Sequence, residues 1–264
     1  MKTERSTWST VGVYLLATFL VSGVLLVLQG ALGIDDEIIS IVQFAPSLAL
    51  LALVPMFRAR VPVRVGSLTA QGLRSRLPAV AAANIVVFGG CLVVFALLGD
   101  DAMVVRPGDL AEPFLVILIF QFIGACGEEL GWRCFLQPYL QARYSLEVSA
   151  VLVGVMWGVW HIQYFAFGPV VVIAFLVSTV SMSLIMAVLL ERAPSGNLLI
   201  AGTFHWLINI GLLLMMNEED GTALPMIVFA AMCAAVAAGF LAVRRSRVTL
   251  MRTSGVATPV GYVG

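Results

Sequence analysis

Eight apolar runs, each about as long as the 20-residue helix that crosses a bilayer core, leave this chain few ways to fold. They cover 11–33, 38–57, 78–99, 113–133, 147–167, 169–190, 197–216 and 224–243. Within lipid only a helix or a closed barrel satisfies every backbone N–H and C=O. The runs lack the alternation at every second residue that barrel strands show. Composition closes the soluble route: 61% of the 264 residues are hydrophobic and 11% charged, too little polar surface to cover a soluble globule. Disorder, which needs low hydrophobicity and high net charge, is excluded as well. The expected fold is all-α: one integral-membrane domain over 1–264, a polytopic bundle of about eight transmembrane helices enclosing a polar intramembrane cavity.

A net charge of zero conceals a sharp segregation. Thirteen of the fifteen basic residues, all but Arg106 and Arg133, fall on one side of the eight-span arrangement. The acidic groups Asp35–Asp36–Glu37, Asp100–Asp101 with Asp109 and Glu112, and Glu218–Glu219–Asp220 fall on the other. The positive-inside rule makes the basic side cytoplasmic. Both termini are then expected inside, with the chain in a plasma membrane of bacterial type. Residues 58–77, with Arg58, Arg60, Arg64, Arg74 and Arg76, form a basic cytoplasmic loop that sets topology or rests on anionic lipid. The first run is too long for a signal h-region and is read as a signal anchor. No basic stretch is interleaved with aromatics, so nucleic acid is not an expected partner. Cys91, Cys126, Cys134 and Cys233 lie in or beside apolar runs without metal spacing, as small buried hydrophobes do.

Charge inside a span is costly and usually marks function. The ionisable residues of the spans concentrate between about 113 and 216: Glu128, Glu129 and Arg133 in the fourth, His161 in the fifth, and His205, followed one turn later by Asn209, in the seventh. Glu129 and Arg133 stand four residues apart and share a helix face, so they form a natural ion pair. Glu128 points about 100° away and is left as a base. Trp157–His161 and His205–Asn209 repeat the four-residue spacing. A carboxylate and an imidazole sharing a water make a general base. A second imidazole and an amide aimed from another helix stabilise an oxyanion. Such a set hydrolyses an amide without a serine or cysteine nucleophile.

Gly127-Glu-Glu-Leu-Gly-Trp-Arg133, Leu136-Gln-Pro138, Trp157-Gly-Val-Trp-His161 and His205-Trp-Leu-Ile-Asn209 resemble the CPBP intramembrane protease family. That family includes CAAX prenyl endopeptidases and bacterial Abi or bacteriocin-immunity proteins. Its motifs are Glu-Glu-x-x-x-Arg, Phe-x-x-x-His and His-x-x-x-Asn. Trp157 stands where the second motif usually has Phe, and Cys134 where many members have Gly. The resemblance implies an endopeptidase of glutamate type, historically called a metalloprotease. Glu128 and His161 would activate water, His205 and Asn209 would form the oxyanion site, and Glu129, Arg133 and Trp157 would support them. No cofactor is implied with certainty; Glu128, His161 and His205 would ligate a divalent metal such as zinc if they converged. The expected substrate is a hydrophobic, lipidated or prenylated peptide, met among membrane lipids. The alternatives are a non-catalytic membrane peptide-binding protein of immunity or scaffold type, and a proton-coupled transporter using Glu128 and His161 as a relay.

Overall fold

The computed structural model describes residues 2–36, 38–57, 61–66, 69–99, 104–191, 197–215 and 222–253. Arg58 and Arg60 of the basic loop lie outside them, as do Glu37, Asp100, Asp101, Arg192 and Glu218–Asp220 of the charge pattern. Among the described residues every regular element is helical: α1 (Lys2–Leu32), α2 (Ala45–Leu48), α3 (Ala70–Leu98), α4 (Phe114–Gly131), α5 (Gln137–Gln141), α6 (Leu146–Trp160), α7 (Pro169–Leu190), α8 (Asn197–Met215) and α9 (Ala223–Thr253). The chain is a polytopic helical membrane protein. Among the described residues six stretches are long and apolar enough to cross a bilayer: Thr7–Leu32, Gln71–Leu98, Phe114–Gln141, Pro169–Leu190, Asn197–Met215 and Ala223–Leu250. The other two runs fold as shorter apolar helices, Ile41–Leu53 and Leu146–Trp160. The second half of the segment expected as a basic loop, with Arg74 and Arg76, is the first part of α3.

Two hydroxyls within the spans, those of Thr18 and Ser178, are satisfied locally. Thr18 Oγ1 donates to the Tyr14 carbonyl at 2.8 Å, and Ser178 Oγ to the Ala174 carbonyl at 3.0 Å. Each uses an acceptor one turn back, so none needs water.

The contacts divide the chain into two compact units. The first comprises Met1–Asn84, Ala102–Gln137 and Ala193–Asn217. Here the run 38–57 is a broken helix: 3₁₀ turns Ile41–Phe44 and Ala49–Leu53 flank α2, with Pro46 in its first turn. Gln29 ties the end of α1 to this segment, accepting from Ile41 N–H at 2.9 Å and donating to the Ile39 carbonyl at 3.3 Å. α4 lies against it along Gly124, Gly127 and Gly131, which fall on one helix face. A methyl group on Gly127 would come within 2.8 Å of the Phe44 ring, and one on Gly131 within 2.6 Å of the Pro46 backbone and against the Tyr14 hydroxyl. Ser47 Oγ donates to the Gly127 carbonyl. Tyr14 of α1, fully buried, closes the seam edge-on to Trp132, with ring centroids 5.7 Å apart.

The second unit comprises Ile85–Asp101, Pro138–Arg192 and Glu218–Gly264. Its helices α6 and α7 pack through Gly154 and Gly158. A methyl group on Gly154 would stand 2.6 Å from Val180 Cα, and one on Gly158 2.6 Å from Thr179 Oγ1. Small residues four apart let helix backbones approach in lipid. Gly168 links the helices at φ +89°, a conformation glycine adopts without strain. Arg244 of α9 grips both carboxylate oxygens of Glu191 at 2.8 and 2.9 Å, and Glu147 at 2.6 Å. One guanidinium thus ties the first turn of α6 and the end of α7 to α9.

Candidate active site

α4 carries the first motif where its helical ladder changes. Residues Trp132–Leu136 form a π-helical turn, with the Gln137 N–H donating to the Trp132 carbonyl. Pro138 follows from the sequence as a cause. In an α-helix residue 138 would donate to the carbonyl of Cys134, but proline has no N–H and its ring crowds that carbonyl. The Cys134 carbonyl instead accepts from the backbone N–H of Arg64 at 2.7 Å. The next residue, Val65, accepts from Leu198 N–H at 3.4 Å. The irregular piece 61–66 therefore links the π turn to the first turn of α8.

Glu128, Glu129, Arg133 and His205 of this unit are withdrawn from solvent, none more than 4% exposed. The expected pair forms, with Arg133 Nη1 3.0 Å from Glu129 Oε1. The same oxygen takes a second donor, His205 Nδ1 at 2.8 Å. A carboxylate salt-bridged to arginine accepts and does not donate, so Nδ1 carries the hydrogen. Glu129 therefore does more than brace its own helix: it joins α4 to α8 and fixes which face of the imidazole His205 presents. Two further contacts set these helices antiparallel. Cys126 Sγ fills the space beside Gly202, where a methyl group would stand 2.6 Å away, and the Phe122 and Trp206 rings meet edge-on at 5.7 Å. Cys126 is thereby a packing residue. Asn209, half-buried, donates through Nδ2 to Gln121 Oε1 at 3.4 Å. Gln121 escapes a search confined to ionisable residues; the signal for it was a lone amide in the apolar first half of α4.

His161 and Trp157 belong to the second unit. α6 stops at His161, whose backbone has φ −78° and ψ 64°. The His161 N–H turns to the Gly158 carbonyl at 3.3 Å, and His161 Nδ1 takes the Trp157 carbonyl at 2.9 Å. A carbonyl only accepts, so Nδ1 bears the hydrogen and Nε2 is the basic nitrogen of the neutral ring. The rings of Trp157, Trp160 and Phe175 surround the imidazole, with centroids 5.7, 4.8 and 5.2 Å away. Trp157 thus contributes its carbonyl as well as its indole.

Among the described residues no three His, Cys, Asp or Glu side chains form a metal-ligating group. The bond from His205 Nδ1 to Glu129 leaves Nε2 as the ring nitrogen for any other partner.

A family model described as type II CAAX prenyl endopeptidase Rce1-like matches residues 110–211. That stretch begins just before α4 and ends within α8, and it contains every motif residue above. Lysostaphin resistance protein A of Staphylococcus aureus is 24% identical over 235 residues in strains bovine RF122 / ET3-1, Newman and USA300. The match covers 88% of this chain and 56% of those proteins, so the chain spans about half the length of the curated relatives it matches. Residues 110–211 are similar to the CAAX-type members of the CPBP family. The matched stretch holds the buried Glu128, Glu129, Arg133 and His205. Within that stretch the first motif's second glutamate and the third motif's histidine share a hydrogen bond.

Proposed function

We propose that this chain is an intramembrane endopeptidase that hydrolyses a peptide bond of a membrane-associated peptide, hydrophobic, lipidated or prenylated. The observation that carries the reading is the buried Arg133–Glu129–His205 cluster at the heart of the family-matched stretch. In this reading Glu128 and His161 take the proton of the attacking water, with His161 Nε2 the nitrogen able to accept it. His205 and Asn209 donate to the carbonyl oxygen as it becomes an oxyanion. Donation from His205 Nε2 while Nδ1 is held by Glu129 requires the imidazolium, and two carboxylates then balance two cations. The proton first taken from water passes to the leaving amine. Preorganised donors in a water-poor site are worth far more than in water. The chain would sit as one domain in a bacterial plasma membrane with both termini cytoplasmic, which reporter fusions at each end test.

The test is cleavage of a hydrophobic peptide library, with and without prenyl groups, by the purified protein in proteoliposomes, read by mass spectrometry. Glu128→Gln is expected to lose about 10²–10⁴-fold in rate, the usual worth of a general base. His161→Asn retains a donor for the Trp157 carbonyl but has no distal nitrogen, and it should lose as much while remaining folded. Equal cleavage by wild type and Glu128→Gln would refute the mechanism. The relatives named for lysostaphin resistance favour a second reading, a non-catalytic peptide-binding protein; on that reading Glu128→Gln binds peptide as wild type does and neither cuts.

A further inference from the structure

We infer that Gln121 is a positioning residue for the oxyanion site, acting through Asn209; the inference rests on the protease reading above. Gln121 is the one amide in the first three turns of α4, among Phe, Leu, Val and Ile. An amide in that setting is costly unless it is hydrogen-bonded. It lies two turns before Glu128, and seven residues at about 100° each return it to within roughly 20° of the same face. The antiparallel register of α4 and α8 then decides what it meets. Cys126 lies against Gly202, Phe122 against Trp206, and Gln121 against Asn209. Asn209 follows His205 by one turn and shares its helix face.

The Asn209 carboxamide has two ends of nearly the same shape. Packing distinguishes them poorly, whereas a hydrogen-bond partner distinguishes them well. Oxyanion stabilisation needs the Nδ2 end; the Oδ1 end presented to a developing negative charge is repulsive. Gln121 Oε1 accepts one N–H of Nδ2. That restrains the amide plane and leaves the second N–H, about 120° away on the planar group, directed off Gln121. At 3.4 Å the bond is long, as bonds at a resting catalytic site often are before substrate tightens them.

Two measurements test this. In protein labelled with ¹⁵N-asparagine in micelles, the Asn209 side-chain amide pair is assigned by its loss in Asn209→Ala. In Gln121→Met that pair is expected to shift, with faster rotation about the C–N bond; an unchanged pair overturns the inference whatever the activity. In the cleavage assay Asn209→Ala is expected to lower kcat by about 10²–10³-fold, as the loss of one oxyanion donor does. Gln121→Met keeps the donor but not its aim, so kcat should fall about 10-fold with KM within about twofold. In the Asn209→Ala background Gln121→Met should cost nothing more. Additive losses in the double variant would make Gln121 a packing residue and refute its role. If wild type cuts no peptide, the protease reading falls, and the amide resonance still decides whether Gln121 orients Asn209.

Discussion

Replacing Glu129 by Gln tests the centre of this structure most severely. The substitution keeps the shape and removes the charge. Glu129 and Arg133 are both buried, with Nη1 and Oε1 3.0 Å apart. At an effective dielectric near 20, unit charges at that separation attract by about 5 kcal/mol. The glutamine oxygen still accepts hydrogen bonds, worth about 1 kcal/mol net, while the guanidinium stays buried without its counter-charge. The expected destabilisation is about 3–5 kcal/mol, the usual result of breaking a buried pair from one side. Arg133→Met should cost less, because His205 still donates to the carboxylate. The double variant should be more stable than Glu129→Gln alone by about 2 kcal/mol, since no charge is then left stranded. The assay is unfolding in mixed micelles of rising SDS fraction, followed by fluorescence; Trp132, fully buried beside Arg133, is a local reporter. A Glu129→Gln variant within about 1 kcal/mol of wild type, or a double variant showing the sum of the single losses, would refute the reasoning.

Two further outcomes follow from the packing. Gly154→Ala pushes a methyl group to 2.6 Å from Val180 Cα and 3.0 Å from the Thr179 carbonyl, both backbone, and is expected to destabilise by about 1–3 kcal/mol. Gly89→Ala in α3 meets nothing within 4 Å and should be neutral or stabilising by up to about 1 kcal/mol; the reverse order of these two in thermal melts would contradict the helix contact. Pro138→Ala restores an N–H that competes for the Cys134 carbonyl, so hydrogen exchange at the Arg64 amide should accelerate; unchanged protection there would show that proline does not cause the π turn.

The apolar runs and the Glu129–Arg133 pair were legible because both depend on spacing within one helix. Six runs emerge as long helices, three of them extended by seven or eight residues at one end: 78–99 begins at Gln71, 113–133 ends at Gln141 and 224–243 ends at Leu250. The run 38–57 breaks at Pro46, which has no N–H to give the ladder, and Ser47 spends its hydroxyl on the Gly127 carbonyl of another helix. The run 147–167 stops at residue 160 because the His161 ring takes the carbonyl that would continue it. Neither cause shows in a hydropathy profile. The Glu129–His205 bond spans 76 residues and depends on the register of α4 against α8. That register is set by the fit of Cys126 to Gly202, which no pattern along one helix records. Gln121 carries no formal charge and, unlike Asn209, has no ionisable residue four positions away to draw attention to it.

The bond between Arg64 and the Cys134 carbonyl also bears on the order in which the chain is made. A carbonyl that proline deprives of its helical donor has to find another, and in a buried position water does not supply it. The ribosome delivers the N-terminal part of a chain first. Residue 64 is therefore already synthesised, behind the broken helix at 41–53, when residues 134 and 138 emerge. The donor precedes the acceptor that needs it, so the π turn can close on a partner already present. Moving the 61–66 segment to the C-terminal side by circular permutation would preserve every contact of the finished fold and reverse that sequence of events.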